Sequence, residues 1–178
     1  MKRNLVVALV LIVVAAAGRL VPHVWNVAPV AAAAMLAGAV LPRRYAVGVP
    51  LIAMFASDLV IGFYAAPVML TVYGCFAVSA LIGSWLKDMK PTKILTASLA
   101  SSTLFFLASN FSVWATADWY PKTWAGLELC YTLAIPFFRN TVAGDMIFTG
   151  VLFGAWALVR QGVAYLENNR ALTDQTIS

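Results

Sequence analysis

Apolar residues in this chain come in runs of about 20, each separated from the next by only a few polar positions, and that spacing leaves little choice but a bundle of membrane-crossing helices. An α-helix satisfies its own backbone hydrogen bonds, so it can cross hydrocarbon where water is absent. The runs lie at roughly 4 to 20, 25 to 41, 45 to 64, 66 to 86, 92 to 110 and 141 to 162, and the breaks between them hold Pro, Gly or charge. Composition supports the same reading. With 62% hydrophobic residues, 11% charged residues and a mean hydropathy of +0.87, a water-soluble globule is excluded. Residues 1–178 are therefore expected to form a single transmembrane domain, an all-α integral membrane protein of six spans in one compact bundle.

A seventh apolar stretch, about 124 to 138, is short and carries Glu128 and Pro136. It is expected to be a short external or re-entrant helix inside an aromatic external segment, about 111 to 140. The charges favour six spans over seven. With both termini cytoplasmic, the inner side holds Lys2, Arg3, Arg43, Arg44, Lys87, Lys90, Lys93, Arg160 and Arg170, and the outer side Arg19, Lys122 and Arg139. This is the positive-inside bias of a multi-pass membrane protein, and a seventh span would weaken it. Met1-Lys2-Arg3, an apolar run and Ala15-Ala16-Ala17 before Gly18 have the form of a secretory signal, but an even span count favours a retained first helix. The scattered basic residues form no stripe for nucleic acid. Cys75 and Cys130 form neither a disulfide framework nor a zinc spacing.

Polar residues within the spans cluster toward one side. Asp58 falls in the outer half of the third span and Tyr73 and Cys75 in the outer half of the fourth. Asn110 ends the fifth, Asn140 and Asp145 begin the sixth, and the first connection carries Arg19, His23 and Asn26. An ionisable group in hydrocarbon costs about 2.5–3.5 kcal/mol on insertion scales, so such groups normally face a cavity or a partner. The expected site is an outward-facing polar pocket with Asn26, Asp58, Tyr73, Asn110, Trp114, Arg139, Asn140 and Asp145 as ligand-binding candidates. No catalytic or metal-binding set is expected, and no cofactor. A structural reading stands beside it, in which Arg139 pairs with Asp145 or is bridged to Asp58.

The segment "SNFSVWATADWYPKTWAGLELCY" holds Trp114, Trp119, Tyr120, Trp124 and Tyr131. It fits either an interfacial aromatic belt or a lid whose rings close over a planar ligand. Asn26 ahead of Pro29 fits the start of the second helix, with Asn as cap and Pro in the first turn. Ala33-x-x-x-Ala37, Ala34-x-x-x-Gly38 and Gly150-x-x-x-Gly154 provide small faces for close helix packing, within the bundle first and with partners second.

The stretches "NVAPVAAAAMLAGAVLPRRYAVGVPLIAMFASDLVIGF", "VYGCF", "SNFSVW" and "YPKTWAGLELCYTLAIPFFRNTVAGD" resemble an uncharacterised bacterial membrane-protein family over roughly residues 19 to 154. That family is similar in topology and hydropathy to the substrate-binding S components of energy-coupling-factor (ECF) vitamin transporters. The resemblance implies six helices, a small-molecule micronutrient bound near the external face, and partners comprising an ECF coupling subunit and two ATPases. The chain carries no Walker motif of its own. Its first helix, Asn4 to Gly18, lacks a clean Ala-x-x-x-Ala contact motif of the kind S components use, so a solitary carrier is the variant reading. Cys75 brings a cobalamin-type transporter into view, because solitary carriers of similar architecture use a cysteine thiolate on cobalt. Arg139 would suit a carboxylate or phosphate through its fork of donors.

Two other classes compete. An intramembrane enzyme acting on a lipid or quinone would use His23, Asp58, Glu128 or Asp145, but no H-E-x-x-H helix or G-x-S-x-G elbow orients them, so the chain is not expected to be an enzyme. A channel or proton-coupled carrier needs polar lining through the whole bundle, and the inner halves of the second, third and fourth spans offer mainly Ala, Val, Leu and Gly.

Overall fold

A computed structural model describes residues 2–21 and 26–177, all of whose regular structure is α-helical. Six helices follow in order: α1 (Lys2–Leu20), α2 (Val30–Val40), α3 (Arg43–Ile61), α4 (Ala66–Gly83), α5 (Pro91–Thr116) and α6 (Trp124–Ile177). Five are long and apolar enough to cross a membrane. Every one of the five carries exposed large apolar side chains, among them Leu9, Phe55, Leu70, Phe111 and Ile147, which is the surface a helical bundle presents to lipid.

The exception is α2. It has 11 residues, a length of about 16 Å, and the hydrocarbon is about 30 Å thick. The expected span over 25 to 41 is therefore half a span. It is also the most enclosed element, with Val30 to Gly38 all buried. It touches α1, α3, α4, α5 and α6, while α1 and α6 are held apart by it. The five long helices thus form an open ring, α1, α3, α4, α5 and α6 in order, whose gap between α1 and α6 is bridged by the short central α2. An alanine-rich sequence suits that place, since small side chains allow neighbouring backbones to approach closely. The closest approach is between α2 and α4. Gly38 lies against the backbone of Ala80, Gly83 and Ser84, and Gly83 lies against the Met35 backbone, so neither has room for a Cβ. The Ala34-x-x-x-Gly38 face is therefore a packing face within the bundle. Gly150 and Gly154 are not: a Cβ at either meets nothing within 4 Å.

The expected separate helix at 124 to 138 and the sixth span are one element. α6 runs for 54 residues, about 80 Å, without a break at Pro136. Proline removes one backbone donor, but a long helix packed on a neighbour tolerates that loss, and α5 supplies the packing: Tyr131 Oη donates to Leu107 O at 2.6 Å, and Phe106 packs against both Tyr131 and Phe138. The connection from α5 to α6 is a tight turn. Lys122 Nζ reaches back to the carbonyls of Trp114 and Ala117 at the end of α5, placing a cation where the helix dipole favours one. Thr123 Oγ1 accepts from Gly126 N at 3.2 Å and caps α6. Between α4 and α5, Lys93 pairs with Asp88 at 2.6 Å and holds that carboxyl below its ordinary range.

Replacing Gly83 with Ala should force α2 and α4 apart and cost about 1–3 kcal/mol. Gly74→Ala, where a Cβ meets nothing within 4 Å, should be neutral or stabilising by up to about 1 kcal/mol. Thermal unfolding of the two variants in detergent checks the difference, and equal melting temperatures would contradict the close packing of α2 on α4.

Candidate functional site

Because α2 stops halfway, the axis of the bundle is filled at one end only. At the other end lies a cavity of about 570 Å³, within the range of small-molecule sites. Its floor is the start of α2, Val30 and Ala31. Its walls are the end of α1 (Arg19 and Leu20), Met54 and Ile61 of α3, Val72, Phe76 and Ser79 of α4, Ser101 and Phe105 of α5, and Thr141 and Asp145 of α6. Asn26, Ile61 and Tyr64 are exposed at its rim. A smaller space of about 230 Å³ adjoins it between α5 and α6, sharing Asn26, Phe105 and Thr141 and adding Asn110.

The local chain explains why α2 starts so deep. Asn26 has a φ of +63°, in the left-handed region that Asn tolerates better than most residues. Pro29 precedes the first helical residue and lacks an N–H. Pro29 packs directly against Gly18 of α1. Val27 packs against Gly144 of α6, where a Cβ would lie 3.1 Å from the Val27 Cα. Residues 27 to 29 thus pass between two helices at positions that carry no side chain. The expected Asn26 cap is absent, because Pro29 occupies the N-cap position and no side chain caps α2.

Two carboxylates serve the cavity differently. Asp58 is completely buried, and its Oδ1 pairs with Arg19 Nη2 at 2.7 Å. Its Oδ2 accepts from Tyr73 Oη at 2.8 Å. Arg19 also donates to Ser57 Oγ and, at 3.3 Å, to the Met54 carbonyl. This network ties α1, α3 and α4 together and leaves the Arg19 side chain 17% exposed as part of the cavity wall. Asp145 is 6% exposed and accepts from Ser102 Oγ at 2.6 Å. Below it a column of hydroxyls crosses the bundle: Ser101 donates to Ser79 at 2.7 Å, and Ser98 lies 3.3 Å from Thr149.

Of the sequence candidates, Asn26 and Asp145 line the cavity. Asp58 and Tyr73 stand behind Arg19 and hold it in place. Asn110 lines only the smaller space, and its side-chain amide donates to the Phe106 carbonyl at 2.8 Å. Trp114, Arg139 and Asn140 line neither. Trp114 instead donates to the Pro121 carbonyl at 3.0 Å, and Trp119 and Trp124 are among the most exposed residues. The aromatic segment is therefore not a lid in this structure. Arg139 is exposed and forms no ion pair among the described residues. The expected Arg139–Asp145 and Arg139–Asp58 pairs are replaced by Arg19–Asp58. Cys75 is buried away from the cavity, His23 lies outside the described residues, and among these no group of three or more His, Cys, Asp or Glu can hold a metal ion.

The residues missed from sequence are mostly hydroxyls. Ser98, Ser101 and Ser102 fall at i, i+3 and i+4 on α5, and that spacing in an apolar helix marks one polar face turned inward.

Removing one member of the buried pair should leave an uncompensated charge. Arg19→Met or Asp58→Asn is expected to cost about 3–5 kcal/mol each, and the double variant Arg19→Met/Asp58→Leu much less than the sum. A double-mutant cycle on thermal stability in detergent measures this, and simple additivity would contradict the pairing.

No curated protein and no solved structure matches the chain. The model of a family of unknown function (DUF6580) matches residues 1–168, and the chain belongs to that family.

Proposed function

We propose that this protein is the substrate-binding membrane component of an uptake system for a vitamin or related micronutrient. The observation that carries the reading is the cavity at one end of the helical bundle, sized for a small molecule, mostly apolar, and furnished with a few convergent polar groups. Chain order supports an outward-facing cavity. The cavity lies at the end where α1 finishes, α2 begins and α3 meets α4. The opposite end carries Lys2, Arg3, Arg43, Arg44, Lys87, Lys90 and Lys93, with Arg160 and Arg170 on α6 beyond Gly154. In a bacterial inner membrane the positive-inside bias puts that basic end, and both termini, in the cytoplasm.

Uptake then requires an energy source outside this chain, which has no nucleotide-binding motif. The resemblance of the sequence, in topology and hydropathy, to ECF S components implies the kind of partner, a coupling subunit with two ATPases. The stacked wall of Phe76 and Phe105, with ring centroids 5.4 Å apart and planes inclined by 29°, suits a flat ligand.

The test is native mass spectrometry of protein purified in mild detergent, alongside Val72→Phe, which fills the cavity. The wild type should carry a small molecule, or bind one in a vitamin screen, and the variant should fold but lose it. A wild type that binds nothing, or a variant that binds equally well, would overturn the reading.

A further inference from the structure

The charge inventory of the cavity is unbalanced, and the imbalance is specific. Arg19 is the single cation among the described lining residues, and its guanidinium is engaged by Asp58, Ser57 and the Met54 carbonyl. Asp58 in turn is shared between Arg19 and Tyr73. That set is closed and neutral. Asp145 stands outside it. Its Oδ2 accepts from Ser102, and its Oδ1 has no partner among the described residues, although the side chain is more than nine-tenths buried. The other polar groups on the surrounding helices, Ser79, Ser101 and Thr141, are neutral hydroxyls. One hydroxyl bond does not offset the desolvation of a carboxylate.

From this we infer that the ligand carries a cationic nitrogen, which docks on the free oxygen of Asp145, and a flat apolar body, which lies against Phe76 and Phe105. The inference rests on the micronutrient-capture reading above and narrows its substrate class. A cation at this position completes the missing charge pair with a short, charge-assisted hydrogen bond. An anionic ligand would face Asp145 without a free counter-charge among the described residues, because Arg19 is already paired with Asp58. A bare metal ion would find one carboxylate and hydroxyls, with no second acidic or imidazole ligand beside them among the described residues. The apolar wall supplies contact area, and Asp145 supplies orientation and discrimination.

Three probes with the same ring and different tails test the claim: tryptamine, tryptophol and indole-3-acetate, cationic, neutral and anionic. Titration calorimetry on the full-length protein in detergent should show tryptamine binding at least about tenfold more tightly than the other two, as expected of a desolvated charge-assisted contact. Asp145→Asn should abolish that preference, and Asp145→Glu should keep it, with gel-filtration profiles confirming that both variants are folded. The proposal is overturned if tryptophol or indole-3-acetate binds as tightly as tryptamine, or if the preference survives in Asp145→Asn. Both of those outcomes leave the cavity a binding site, so the capture reading stands. Failure of all three probes to bind also overturns the proposal, since the aromatic wall is part of it, and capture is then decided by the copurified ligand alone.

Discussion

A non-helical segment inside a membrane bundle needs two things: relief from steric crowding and shelter from lipid. Residues 27 to 29 have both, because they thread between Gly18 of α1 and Gly144 of α6, where the flanking helices offer no side chains. Irregular backbone is tolerated at membrane depth where protein encloses it or where it lines a wet cavity. This crossing delays the start of α2 to Val30 and leaves an 11-residue helix in a ring of longer ones. The vacant half of the axis is the cavity. Without the two glycines the connection would be pushed outward, α2 would have no reason to start deep, and the central space would close.

Electrostatics then divides the polar residues into supports and a contact. Arg19, Asp58 and Tyr73 join three helices around the cavity through buried charge-assisted bonds. Such a set contributes orientation more than net stability, since desolvating its members offsets most of the attraction. Asp145 is held by one serine from α5, has no other partner among the described residues, and lines the cavity. The hydroxyl column beneath it, Ser79 with Ser101 and Ser98 with Thr149, satisfies its members pairwise. Polar groups therefore reach deeper into the bundle than the single outer layer expected from the charged residues alone.

Much of the architecture was legible in the sequence because hydropathy and length determine it. The expected runs at 4 to 20, 45 to 64 and 66 to 86 correspond closely to α1, α3 and α4. The run at 25 to 41 misled, because alanine and valine ahead of Val30 are as apolar as those within α2. What cuts the helix short is Asn26 in a left-handed conformation and a proline seated on a glycine of another helix, and that contact is not local. The expected separation of a helix at 124 to 138 from a span at 141 to 162 failed for a similar reason, since packing against α5 carries α6 through both, Pro136 included. At the site, Asp58 and Asp145 stood out as costly residues, but their partners came from distant positions. Arg19 lies 39 residues from Asp58 in sequence, and Ser102 lies 43 from Asp145. Hydropathy does not encode such pairings, so it points to Arg139 for both carboxylates where the structure uses Arg19 and Ser102.

The central claim is that α2 begins at the floor of a water-accessible cavity, not in a closed core. Thiol accessibility at Ala31 tests it most directly. In a Cys75→Ala/Cys130→Ala background, Ala31→Cys should react with a membrane-impermeant thiol reagent added outside intact cells, and a small molecule that occupies the cavity should slow the reaction. A thiol at position 31 that stays unreactive from outside, while one at the rim position Asn26 reacts, would show a sealed interior and contradict the account.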